Sequence, residues 1–94
     1  MRKRRLYQLL IDDEARKALK RLPGHLRQRV ARAIEALRHD SEPVEAKQLE
    51  DELHGDWRLR IDNSQVIYLI DDEIIVVEVV RRDKRDPNTY IGLR

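Results

Sequence analysis

Hydrophobic and polar positions change period several times along this chain, and each change marks an element. In Leu6–Ile11 (LYQLLI), Tyr7, Leu9 and Ile11 fall on one side and Leu6 and Leu10 on the other, the two-residue period of a strand. Ala15, Ala18, Leu19 and Leu22 then follow at the spacing of one helical face. Asp12 or Asp13 is placed to accept hydrogen bonds from the first helical amides, and Glu14 suits the positive end of the helix. Pro23-Gly24 closes this helix, and a second runs from about His25 to Arg38. Its stripe is Leu26, Val30, Ala33, Ile34 and Leu37, with Arg27, Arg29, Arg32 and Glu35 mostly off it. Two amphipathic helices joined at a tight corner form an antiparallel hairpin whose apolar stripes need a partner surface.

The second half supplies that surface. From His39 to His54 the chain is acidic and irregular, broken by Pro43 and anchored only by Leu49 and Leu53; this reads as a connecting loop with room for a short helical turn. In Gly55–Ile70 the pattern sharpens. Trp57, Leu59 and Ile61 alternate with Arg58, Arg60 and Asp62, the signature of a half-buried strand with arginines on its open face. After the turn-forming Asp62-Asn63-Ser64, the run Val66–Ile70 is apolar on both faces, as a strand covered on each side should be. Asp71-Asp72-Glu73 makes a second turn, and Ile74–Val80 (IIVVEVV) is strongly β-prone, interrupted only by Glu78. The tail Arg81–Arg94 starts basic, turns at Pro87-Asn88, and carries Tyr90, Ile91 and Leu93, which can dock back on the body. The order β-α-α-β-β-β predicts one α+β domain over residues 1–94, with a helical hairpin packed on a small antiparallel sheet.

Composition narrows the chemistry. The 94 residues support a single modest core. The absence of cysteine removes disulfides and thiolate metal sites. No apolar run approaches the roughly 20 residues of a membrane helix, and the basic MRKRR start lacks a signal peptide's apolar stretch, so a cytoplasmic protein without membrane partners is expected. The net charge of +2 conceals a segregation: Asp40–Asp56 holds seven acids against Lys47, while Arg2–Arg5 and Arg81–Arg85 are almost wholly basic. His25, His39 and His54 have no metal-like spacing, and no phosphate-binding glycine loop or nucleophile elbow is present, so any enzyme here works without a metal or cofactor.

A helix ending in KRLP, an arginine-rich second helix, the strand G-D-W-R-L-R-I, the segment V-I-Y-L-I-D-D and the final V-V-R-R-D-K-R with T-Y together resemble the RelE/ParE superfamily of bacterial toxins. The resemblance spans nearly the whole chain. It implies a cognate antitoxin as partner and one of two activities: RelE-like members cleave messenger RNA on the ribosome, whereas ParE-like members inhibit DNA gyrase without being nucleases. A catalytically inactive homologue that binds only its antitoxin is the third alternative.

In the ribonuclease branch, the resemblance places Arg58 and Arg60 among the catalytic residues, Lys84 and Arg85 near the later basic position, and Tyr90 at the terminal tyrosine; Arg81, Arg82 and Gln65 would contact RNA. The reaction would be attack of a ribose 2′-hydroxyl on the neighbouring phosphorus, which requires a proton acceptor, stabilisation of the phosphorane and a donor to the 5′-oxygen. Arginine suits the middle role, and Lys84 is the more credible proton exchanger because arginine stays charged up to about pH 12. Tyr90 would stack on a base or assist. Two features depart from the family pattern: Gln65 stands where an arginine is common, and Asp86-Pro87-Asn88 lengthens the path from Arg85 to Thr89. The residues also have simpler readings, with Arg58 and Arg60 as the solvated face of an edge strand, the basic terminal runs as charged tails, and Trp57 and Tyr68 as core packing.

Overall fold

The computed structural model describes residues 6–49 and 55–82. Over these residues the chain forms β1 (Gln8–Ile11), α1 (Asp13–Lys20), α2 (Gly24–Ala36), β2 (Ala46–Gln48), β3 (Asp56–Ile61), β4 (Ser64–Asp71) and β5 (Ile74–Arg82). The sheet order is β1-β5-β4-β3-β2. Strands β2 to β5 pair antiparallel, and β1 joins beside β5 in parallel, with Leu9 opposite Ile75 and Ile11 opposite Val77. The expected α+β architecture is present. The helical hairpin supplies the crossover that a parallel β1–β5 pair requires.

One face of the sheet carries the core. Leu59 of β3, Val66 and Tyr68 of β4, and Ile75, Val77 and Val80 of β5 are buried against Ala15 and Leu22 from the first helical segment and Leu26, Val30, Ile34 and Leu37 from the second. Leu19, Ala33, Trp57 and Ile61 pack around them partly buried. The helical stripe read from spacing is therefore the face that meets the sheet. The Trp57 and Tyr68 rings stack with centroids 6.4 Å apart and planes 20° from parallel. Tyr68 is fully buried, and its hydroxyl donates a 2.8 Å hydrogen bond to the Ser41 carbonyl. Burial, with the negative charges of Glu42 and Asp40, pushes the Tyr68 phenol well above its ordinary range.

Several local expectations change. The acidic connection contains a short edge strand, β2, rather than a helical turn: Ala46, Lys47 and Gln48 pair with Leu59, Arg58 and Trp57, and the Leu49 amide continues the ladder to the Asp56 carbonyl at 2.8 Å. A three-residue strand exists because β3 offers an unpaired edge, a signal absent from its own sequence. Asp12 caps α1 through its backbone carbonyl, which accepts from the Arg16 amide at 2.9 Å, and its side chain makes no capping bond. Pro23 is the residue before α2, and Gly24 is already its first helical residue, so the corner is made by Arg21–Pro23.

Ser64 is not part of the β3–β4 turn. Ile61 pairs with Ser64, leaving Asp62-Asn63 as a two-residue loop with Asp62 at φ 54°, and alternation then sends Ser64 to the helix-facing side with Val66 and Tyr68. There it is buried, and its hydroxyl has no hydrogen-bond partner among the described residues.

Candidate functional site

The face of the sheet turned away from the helices is set by the same alternation. If Leu59 faces the core, Asp56, Arg58 and Arg60 must face the other way. Register then aligns neighbours from adjacent strands. Arg60 lies opposite Gln65, which lies opposite Arg81, giving one row across β3, β4 and β5. Lys47 lies opposite Arg58, which lies opposite Ile67 and then Val79, giving the next row. Three strands and an edge strand thus bring Lys47, Arg58, Arg60 and Arg81 onto one surface around an uncharged glutamine.

A cleft of ≈ 390 Å³ opens between these rows. It is bounded by Leu49, Asp56, Arg58, Gln65, Ile67, Glu78, Val79 and Arg81. Its floor is apolar at Ile67 and Val79 and its walls carry both charges. Arg58 is half-buried and Arg60 exposed. A half-buried guanidinium in a walled cleft acts through a lower effective dielectric than one in free solvent, and its planar fork matches the oxygens of a phosphate. Arg60 also borders a second groove at the edge of β3 beyond the end of β2, beside Arg29 and Ala33 of α2. On that side Asp62 pairs with Arg29 at 2.9 Å, which ties the β3–β4 turn to α2.

Glu78 follows the core-facing Val77 and so lies on the cleft face, and a one-residue slip of the β4–β5 ladder keeps Val79 and Arg81 on that face with it. Ile67 pairs with Val79, but the next residue, Tyr68, pairs with Val77, leaving Glu78 as the extra residue of a bulge. A bulge of this kind breaks strict alternation and re-aims a side chain. Without it, an unbroken alternation could not put Val77 in the core and both Glu78 and Val79 on the cleft. Glu78 is half-buried and lines the cleft together with a second carboxyl, Asp56. Burial, then the Asp56 hydrogen bond and charge, then the charge of Asp12, raise its carboxyl from 4.5 to about 7.

Among the residues expected from sequence, Arg58, Arg60, Gln65 and Arg81 are brought together. Arg82 is not with them: it pairs opposite the core-facing Ser64 and belongs to the other side of β5. Lys84, Arg85 and Tyr90 lie outside the described residues. Lys47, Asp56 and Glu78 are additions. Glu78 was visible as the single polar break in an apolar strand, Asp56 by its two-residue spacing from Arg58, and Lys47 only as a lone cation among acids. No group of three or more His, Cys, Asp or Glu residues arranged to hold a metal occurs among the described residues, and no helix among them is long and apolar enough to cross a membrane.

No protein-family model matches the chain, and no curated protein sequence matches it significantly. Solved structures do. The chain is similar to one in the RelBE2 toxin-antitoxin complex of Mycobacterium tuberculosis, at 26% identity and a TM-score of 0.76, covering 88% of this chain and 98% of that one. It is likewise similar to one in the archaeal RelE-RelB complex of Pyrococcus horikoshii, at 25% identity and a TM-score of 0.74, covering 86% and 99%. The isolated E. coli RelE toxin shares the fold at 15% identity, with a TM-score of 0.73 and coverage of 93% and 95%. With the strand order, the helical crossover and the arginine-bearing β3 all in place, the chain belongs to the RelE/ParE superfamily of toxins from toxin-antitoxin systems.

Proposed function

We propose that this protein is a metal-independent endoribonuclease toxin that cleaves messenger RNA on the ribosome and is held inactive by a cognate antitoxin. The observation that carries the reading is the open-face row Arg60–Gln65–Arg81 with Arg58 and Lys47 beside it, a cationic surface built on paired strands. Ordered strands hold cations at fixed spacing, which is what preorganised stabilisation of a phosphorane requires. Arg58 and Arg60 take the phosphate oxygens, Arg81 extends the track along the RNA backbone, and Gln65 donates or accepts hydrogen bonds at phosphate or base. Lys84, with Arg85 and Tyr90, completes the proton transfers and base contacts. Arg82, on the other side of β5, contacts RNA only beyond the cleft.

The antitoxin enters through the RelE-RelB complexes that this fold resembles, and a basic domain suits an acidic amphipathic segment. The test is a translation reaction with purified ribosomes and a defined message, followed by primer extension. Discrete, ribosome-dependent cleavage within codons is expected. Intact message, together with inhibition in a gyrase supercoiling assay run in parallel, would replace this reading with the gyrase-directed one, for which the uncharged Gln65 in the centre of the row is the favourable observation.

A further inference from the structure

We propose that the outer side of the helical hairpin is a second nucleic-acid surface, which holds the phosphate backbone of double-helical RNA without reading its sequence. It lies across the core from the cleft, and only the choice of RNA over DNA rests on the ribonuclease reading above. Over the whole chain 20 lysines and arginines nearly balance 18 aspartates and glutamates, yet from Ala15 to Ile34 there are seven cations and no acid. All seven are exposed. Arg29 pairs with Asp62, and Arg16 and Arg27 donate to the carbonyls of Ile11 and Lys20 at 3.2 and 3.4 Å. The bond from Arg27 sets the start of α2 beside the end of α1, so the charges of both helices share one surface. The side chains of Lys17, Lys20, Arg21 and Arg32 have no ion-pair or hydrogen-bond partner among the described residues. Ala15 and Leu22 in the first helical segment and Val30 and Ile34 in α2 face the sheet, and the helical repeat turns these four cations away from it.

Helix stability does not account for the pattern. Lys17 and Lys20 in the last turn of α1 suit the negative end of that helix. In α2 the charges run the other way: the first turn holds Arg27 and no acid, the last turn holds no cation, and the one acid, Glu35, stands near the negative end. A helix charged for its own stability would carry acid first and cations last.

The chemistry of the surface selects its partner. The exposed large hydrophobic residues among those described are Leu6, Leu10 and Val44, and none belongs to the hairpin. An amphipathic peptide or a membrane surface would need apolar anchors there. Neither helix carries an aromatic residue, so unstacked bases of a single strand would find no platform. A duplex keeps its bases stacked inside and presents phosphates outward, which is the partner that unpaired cations alone can hold. With the cleft on the far face of the sheet, one molecule can grip structured RNA on one side and a message strand on the other.

The experiment is binding of the full chain to a fluorescent RNA duplex of arbitrary sequence, followed by anisotropy between about 50 and 200 mM salt. The variant carrying Lys17→Gln, Lys20→Gln, Arg21→Gln and Arg32→Gln should bind at least about 10-fold more weakly, with a slope of log affinity against log salt shallower by about 3. Glutamine has nearly the helix propensity of lysine and arginine, so its Tm should stay within a few degrees of the parent's. The Arg58, Arg60 double alanine variant should lose far less affinity for the duplex. On programmed ribosomes the quadruple variant should need at least about 10-fold more ribosomes for half-maximal cleavage and keep the saturating rate within a few-fold. Unchanged duplex affinity and salt slope in the folded quadruple variant overturn the proposal and leave the ribonuclease reading intact. Loss of duplex binding in the Arg58, Arg60 variant instead overturns it by placing the duplex on the cleft. Tighter binding of the parent to a DNA duplex of the same sequence overturns the assignment to RNA. A parent that binds the RNA duplex through these four cations but cleaves no message upholds this surface and overturns the ribonuclease reading alone.

Discussion

Replacing Glu78 by glutamine should make the protein more stable above pH 7 and leave it unchanged in acid. The reason is the environment of the carboxyl: about 7 in the folded chain against an ordinary 4.5. A folded-state value above the unfolded one means that folding favours the protonated form. That contribution is complete below pH 4.5 and is lost as pH rises through about 7, so the ionised Glu78 destabilises the fold at pH 8. At about 1.36 kcal/mol per pH unit the gap corresponds to about 3 kcal/mol. Glu78 is half-exposed, and solvent screening reduces the figure to about 1–2 kcal/mol. Glutamine keeps the size and can donate its amide hydrogens to Asp56 without ever ionising. For a domain of this size the gain is a rise in Tm of about 5–10 °C at pH 8, shrinking to zero near pH 4.5. Thermal unfolding followed by circular dichroism from pH 4 to 9 measures it. Parallel curves for the two proteins across that range would refute the reasoning.

Other perturbations follow from the same structure. Tyr68→Phe removes the 2.8 Å hydrogen bond that ties the buried ring to the Ser41 carbonyl and should cost about 0.5–1.5 kcal/mol in urea unfolding, with faster amide exchange around Ser41. Ile34→Ala empties a fully buried position of α2 over the sheet and should cost about 2–5 kcal/mol in the same assay. A Cβ built at Gly24 meets nothing within 4 Å, so Gly24→Ala should add about 0.4–1 kcal/mol; Gly55 sits at φ +95°, and Gly55→Ala should lose stability instead.

The elements that the chain announces are those whose periodicity comes from burial on one side. Leu26, Val30, Ile34 and Leu37 specify which face of α2 meets the sheet, and Trp57, Leu59 and Ile61 specify which face of β3 does; Arg58 and Arg60 are then forced outward together. What periodicity does not carry is pairing between distant segments. Strand β2 is three residues long and owes its conformation to the β3 edge, so its Lys47 could not be placed beside Arg58 from sequence spacing. The bulge at Glu78 is a register event between two strands, and nothing in IIVVEVV alone says which side Glu78 takes. Arg82 adjoins Arg81 in one basic run of the sequence, yet consecutive strand residues point to opposite faces, so only Arg81 joins the row. Parallel docking of β1 beside β5 required the helical hairpin to act as a crossover, which the hairpin's sequence permits without demanding.

The central claim is that the open face of β3 is a phosphate-binding site and not merely a solvated surface. Changing Arg58 and Arg60 together to alanine isolates that claim, because neither side chain belongs to the buried core and their loss should shift Tm by no more than a few degrees. The most direct measurement is the single-turnover rate of message cleavage on programmed ribosomes for the parent and the Arg58, Arg60 double variant, with folding verified for both. Cleavage by the parent and none by a fully folded double variant is the predicted result. Equal cleavage rates for the two proteins would contradict it.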